Sequence, residues 1–201
     1  MFEKKIDRLE YLRDPFDVAK EVLLGAYLCS NVDGKFCVGK ITELEVYIGA
    51  EDKACHAYLN KKTKRNAVMF DEGGKVYVFF VYGMYNQFNV VVSGEGEANA
   101  ILIRSLEPVA GIEFMQERRG VDDVGNLTTG PGKLCQALGI TREHNGVDLM
   151  DNLLWIAPRD IKPDVLVSKR VGISNAEEYC DVLWRYLIKD NEFISKKVCL
   201  K

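Results

Sequence analysis

The sequence is poor in the residues that build metal and redox centres. It holds two histidines, His56 and His144, among 201 residues. Neither lies at metal-ligand spacing from a second histidine or inside a cysteine-histidine cluster, so no metal and no other cofactor is expected. The six cysteines (Cys29, Cys37, Cys55, Cys135, Cys180 and Cys199) form no CxxC pair. A chain of this length folds without disulfides, and they read as buried thiols. No apolar run approaches the roughly 18 to 20 residues that span a bilayer, and the opening MFEKKIDRLEYLRD is too charged for a secretion signal. A soluble intracellular protein without membrane contact is expected.

An excess of positive charge is also missing: 27 Lys and Arg stand against 30 Asp and Glu, for a net charge of -3. Indiscriminate nucleic-acid binding, which depends on neutralising phosphates, is thereby excluded. Any such surface must be local, and the run Lys61, Lys62, Lys64 and Arg65, with no acid until Asp71, is where it would lie. Taken alone, that run reads as a solvated loop.

At 47% hydrophobic residues, the 201-residue chain has enough apolar surface to bury for a single domain over residues 1–201. Asp14-Pro15 supplies an N-cap and a proline at the first helical position, and Gly25 ends the pattern, so DPFDVAKEVLLG reads as a short helix. Strands over 26–31 and 36–47, joined by Asp33-Gly34, read as a hairpin. KVYVFFVYG, FNVVV and AILIRSL give three further strands. Helix signals follow in PVAGIEFMQERRG and in GKLCQAL, which Gly130-Pro131 opens and Gly139 stops. Residues 122–126 read as a loop, and 155–173 as extended chain opposed to helix by Pro158 and Pro163. Ser174 with Glu177 forms a capping-box pattern ahead of a predicted helix over YCDVLWRYL. The fold class expected is α+β, a curved and mainly antiparallel sheet surrounded by helices.

Alternation along the second strand puts Glu43, Glu45 and Tyr47 on one face and Leu44, Val46 and Ile48 on the other. The apolar set reads as the core face. On this segment alone, the two carboxylates and the phenol also read as ordinary solvent-side residues.

The wider assembly points further. ITELEVYIGAEDKACHAY, TKRNAVMF, VYVFFVYGMYNQFNV, ILIRSLEP and TTGPGKLCQALGI occur in that order. The set resembles the alkyladenine (3-methyladenine, or methylpurine) DNA glycosylases, from about Asp17 through Arg170-Val171-Gly172-Ile173 and Trp184-Arg185-Tyr186. The resemblance implies a compact domain that hydrolyses the N-glycosidic bond of alkylated or deaminated purines in double-stranded DNA. It also implies a monomer, cytoplasmic in a prokaryote and nuclear in a eukaryote. By motif position Glu45 is the general base, and Arg104 helps hold Glu45 and the attacking water. Tyr47 and His56 match residues of the base pocket, Asn89 a residue that rejects normal guanine, and Tyr82 the side chain that wedges into the duplex. Two departures stand out: Phe79 occupies the place of a base-stacking tyrosine, and Lys64 that of a frequent proline.

Chemistry on a base needs the nucleotide extruded, at a cost of a few kcal/mol. Stacking worth roughly 1–3 kcal/mol per base offsets this, so Tyr47 and His56 set against Phe79 would be of the right size. A carboxylate at the sugar can orient water and stabilise the oxocarbenium-like charge. No lysine falls at a catalytic position of the family, so hydrolysis without a lyase step is expected. Lys133, near the start of GKLCQAL, is a further candidate for a DNA backbone contact. Two other readings remain open: a damage-binding protein of the same fold that cleaves weakly or not at all, and a hydrolase of free purine nucleosides.

Overall fold

The structure, a computed structural model, describes residues 2–81 and 83–196. After a short helix α1 (Arg8–Tyr11), the chain turns into α2 (Pro15–Asp17), where the Asp14 side chain accepts from the N–H groups of Phe16 and Asp17. The helix then widens into a π-helical stretch (Val18–Leu23) and ends at Gly25, with φ of 86°. Its Val18, Ala19 and Leu23 are fully buried, so the cap, the proline and the stop act as the sequence predicts.

β1 (Tyr27–Val32) and β2 (Lys35–Tyr47) form the predicted hairpin. Asp33 and Gly34 sit at φ of 57° and 70°, the left-handed pair that a tight two-residue turn requires. β3 (Val76–Val81), β4 (Tyr85–Val92) and β5 (Asn99–Ala110) continue the antiparallel sheet. Two helices follow, α3 (Ile112–Arg119) and α4 (Pro131–Leu138), and then β6 (Leu154–Ala157), β7 (Val165–Ser168) and β8 (Arg185–Ile188). The eight strands run in the order β3-β4-β5-β2-β1-β6, and β8 adds to β2 and carries β7. The sheet curls into a half-barrel, an α+β fold. No helix among the described residues is long and apolar enough to cross a membrane.

β2 is the hub of the fold. β5 flanks one side of it, while β1 and then β8 flank the other. Its register slips around Glu43, between Ile41 and Leu44, a bulge that bends the strand and locally raises its twist. Leu44 and Val46 are fully buried in the main core with Leu28, Ile101 and Ile103.

Three sequence expectations need correction. The helix after Pro108 begins only at Ile112, because Pro108 to Ala110 complete β5 against Val38 and Gly39 of β2. Pro108 sits beside a register shift, where a strand tolerates the loss of an N–H donor. No α-helix follows Ser174 among the described residues. Residues Glu177–Cys180 make one 3₁₀ turn, with Glu177 at φ of 48°, and Arg185–Ile188 become β8. Pairing with β2 and β7 there outweighs the local capping pattern. The polar face of β2 is not a solvent face either: Glu43 and Glu45 are both fully buried, covered by residues 170–171 and 193–196.

Candidate active site

Burying Glu43 and Glu45 would cost several kcal/mol per charge without partners, more than the roughly 1.5–3 kcal/mol gained by burying one neighbouring leucine or valine. The partners are two arginines. Arg104, on β5, donates from Nε to Glu43 at 2.8 Å and brings Nη1 within 3.3 Å of Glu45. Arg185, at the start of β8, donates to the same Glu43 oxygen at 2.8 Å. Ser195 closes the cluster with bonds from its N–H and its hydroxyl to Glu43. Burial works against the charge on Arg104, but the carboxylates of Glu45 and Glu43 outweigh it and raise its pKa. Glu43 therefore orients Arg104, and Arg104 reaches Glu45.

Glu45 is held from three directions. Its Oε1 accepts from the Val171 backbone N–H at 2.7 Å and faces Arg104. Its Oε2 accepts the Tyr47 hydroxyl at 2.7 Å. Burial, and then the Glu45 carboxylate, push the Tyr47 pKa well up, so the phenol keeps the proton it donates. Oε2 accepts this one bond among the described residues, which leaves it a lone pair.

Beside this cluster lies a cavity of about 250 Å³, walled by Tyr47, His56, Phe79, Asn89 and Arg104. Cys55, Met69, Ala100 and Leu102 give it an apolar floor, and burial raises the Cys55 thiol to about 12, so that it stays protonated. Glu45 stands behind Tyr47 and Arg104 rather than in the wall itself. The Asn89 amide nitrogen is taken up by the carbonyls of Tyr77 and Gln87 at 3.1 and 3.3 Å, which fixes the orientation of the side chain.

His56 lies with Phe79, not opposite it: their rings meet edge to face with centroids 4.4 Å apart. A base stacked between two rings needs about twice the usual contact distance of roughly 3.5 Å, so His56 and Phe79 leave no room for one between their rings. Two contacts hold His56 there. Its Nδ1 is 3.0 Å from the Tyr77 hydroxyl, and its carbonyl accepts from Asn66. Burial pushes the Tyr77 hydroxyl up to about 12, so it donates to Nδ1 and leaves the ring proton on Nε2. Burial, and then the Arg65 charge, lower His56 to about 4, and the ring is neutral near pH 7.

Lys61, Lys62, Lys64 and Arg65 are all exposed and form no ion pair among the described residues. Asn66 organises their loop, accepting from Thr63 and donating to the carbonyls of His56 and Lys61. Arg65 lies over the Phe79 ring at 5.5 Å, which ties the basic loop to the cavity wall. Lys133 is spent differently, bonded to Asn126 beside its own helix. Tyr82 lies outside the described residues; the chain beside its position exposes Met84 and Tyr85.

The family pattern described as Methylpurine-DNA glycosylase (MPG) matches residues 9–192. The chain belongs to this family. Membership places it among the DNA glycosylases of DNA repair. Relatives named "Putative 3-methyladenine DNA glycosylase" occur in Clostridium novyi, at 44% identity over 96% of this chain, and in Clostridium tetani, at 46% over 96%. A third, from Alkaliphilus oremlandii, is 44% identical over 96% of the chain, and each of the three is covered over its whole length.

Within this DNA glycosylase, reading the sequence missed six residues that shape the site: Asp52, Tyr77, Arg170, Val171, Arg185 and Ser195. Tyr77 was within reach, since it shares a strand face with Phe79. Arg170, Val171 and Arg185 lie in quoted motifs, but no local signal tells that they fold back onto β2. Ser195 lies beyond the family match, which ends at residue 192.

Proposed function

We propose that this chain hydrolyses the N-glycosidic bond of alkylated or deaminated purines in duplex DNA, in the class of 3-methyladenine, 7-methylguanine, hypoxanthine and ethenoadenine. It acts as a monomer and without a lyase step. The observation that carries the reading is the Glu45 carboxylate, held by Tyr47, Arg104 and the Val171 N–H directly behind the wall of an aromatic cavity.

The damaged nucleotide leaves the duplex and its base enters between Tyr47 and the His56–Phe79 pair, with Asn89 at the base edge. Tyr82 fills the gap left in the stack, and the exposed lysines 61, 62 and 64 with Arg65 meet phosphates. As the purine departs, the sugar becomes cationic. The free lone pair on Glu45 Oε2 takes a proton from the attacking water, while the carboxylate stabilises the developing charge. The Arg104 guanidinium, 3.3 Å from Glu45 Oε1, holds the carboxylate in position. Phe79 preserves the stacking surface of the tyrosine it replaces and omits a hydroxyl.

The test is single-turnover release of each base from a lesion duplex, in low salt without metal, by wild type and by Glu45→Gln. Removing a general base costs about 10²- to 10⁴-fold, so a folded Gln variant should lose at least two orders of magnitude. Equal rates would move the general base to another residue. Tight lesion binding without any release would favour a damage-binding protein, and release from the free nucleoside alone would favour a nucleoside hydrolase. Borohydride should trap no covalent adduct.

A further inference from the structure

Tyr47 is backed by a buried cation. Arg170 holds its guanidinium carbon 4.6 Å from the centre of the Tyr47 ring and 5.2 Å from that of Trp184. Tyr47 faces the cavity and Arg170 does not, which puts the charge on the ring's far side. The Arg170 and Asp52 side chains are wholly buried and paired at 2.5 and 2.9 Å. The guanidinium also donates to the carbonyls of Val46 and Tyr179, both at 3.1 Å, while its Nε is buried without a partner. Four hydrogen bonds therefore hold a fixed positive charge in a place where hydrophobic packing alone would serve stability as well or better.

That arrangement has an electrostatic consequence for anything stacked on the open face of Tyr47. An aromatic face attracts cations through its quadrupole. A guanidinium on the far face adds a positive potential that reaches through the ring, and in a buried setting it is weakly screened. The attraction of the platform for a second cation falls, while its dispersion contact with a neutral purine is unchanged. A lesser version recurs across the cavity, where Arg65 lies over Phe79, although exposed and hence more screened.

We infer that Arg170 is a specificity-determining residue, which backs the Tyr47 wall with positive charge and shifts selection from cationic alkylated purines toward neutral lesions. The inference rests on the proposed stacking of the base against Tyr47. Loss of Arg170 would also disturb its neighbour Val171, whose N–H holds Glu45, and slow every substrate together. The ratio of two substrates cancels that common effect.

The experiment measures single-turnover release of 7-methylguanine, cationic in its nucleotide, and of hypoxanthine, neutral in its nucleotide, from otherwise identical duplexes. Wild type is compared with two charge-free pairs, Arg170→Gln with Asp52→Asn and Arg170→Met with Asp52→Leu, and with Arg170→Lys. Either charge-free pair that retains a cooperative thermal transition serves. The 7-methylguanine to hypoxanthine ratio should rise several-fold to about tenfold in the charge-free pairs, and Arg170→Lys should hold it within about twofold of wild type. A ratio that stays constant while both rates fall together, or that falls, overturns the inference and leaves Arg170 a structural ion pair. An Arg170→Lys ratio shifted as far as that of the neutral pairs also overturns it, since charge would then not be the cause. Failure of wild type to release either base would overturn the excision reading itself, a result distinct from an unchanged ratio.

Discussion

At the residue scale, His56 meets the cavity as a neutral ring, a form that the nearby Arg65 charge favours. Burial of the ring first, then the Arg65 charge, lower its pKa to about 4 from an ordinary 6.5, although the residue as a whole is exposed at the rim, where water tempers the shift. Because the folded pKa lies below the unfolded one, the unfolded chain takes up a proton that the folded chain refuses between about pH 6.5 and 4. This residue therefore opposes folding progressively as pH falls through that window and has no effect above it. A neutral His56 also spares a cationic base from like-charge repulsion. NMR titration of the His56 ring should give a midpoint clearly below 6.5, and a midpoint at or above that value would refute the environment described. Motif position alone assigns His56 to the pocket. It could not supply the protonation state, which depends on burial and on the Arg65 charge, both set by the folded chain.

At the scale of elements, β2 shows how a strand can bury both faces. One face packs as hydrophobic core, and the other holds Glu43 and Glu45, neutralised by Arg104 from β5 and Arg185 from β8. The segment following β8 completes the arrangement: Thr42 donates to the Phe193 carbonyl, Ser195 bonds Glu43, and Arg185 donates to the Lys196 carbonyl. Ser195→Ala removes the hydroxyl bonds to Glu43 and Arg104 while keeping the backbone N–H bond. It should cost about 1–3 kcal/mol of stability, with a modest loss of excision rate as Arg104 loosens. Urea denaturation measures the first effect and single-turnover kinetics the second; a variant unchanged in both would show that this segment does not brace the cluster. The capping pattern at Ser174 and the helix signals after Pro108 failed for one reason. Local propensity amounts to tenths of a kcal/mol per residue, whereas strand pairing with β2 satisfies a whole row of backbone groups that would otherwise be buried unpaired.

For the whole molecule, an acidic net charge coexists with a DNA substrate because four exposed basic residues with no ion pair among the described residues, Lys61, Lys62, Lys64 and Arg65, gather in one loop beside the cavity, while several other cations are paired elsewhere. Arg8 and Lys75 pair with Asp148, and Arg170 with Asp52. Affinity for duplex should therefore depend on few phosphate contacts. Changing both Lys62 and Lys64 to Gln should weaken binding to lesion and intact duplexes alike and reduce the slope of log affinity against log salt by about 2. Filter binding over a salt series checks this, and an unchanged slope would place the DNA surface elsewhere.

The sequence by itself determined the hairpin at Asp33-Gly34, the starts and stops at Asp14, Pro131 and Gly139, and the chain's family through motifs in fixed order. These depend on backbone conformations and caps set by a few adjacent residues. It also singled out Glu45, Arg104 and Tyr47, whose contact follows from one strand face and its neighbour. Only the tertiary structure decided that this face is dry, that His56 sides with Phe79, and that Arg170, Arg185 and Ser195 return from more than 80 residues away to hold Glu43, Glu45 and Tyr47. Desolvation and charge pairing depend on what covers a residue, and here the cover comes from segments whose own sequence carries no mark of their destination.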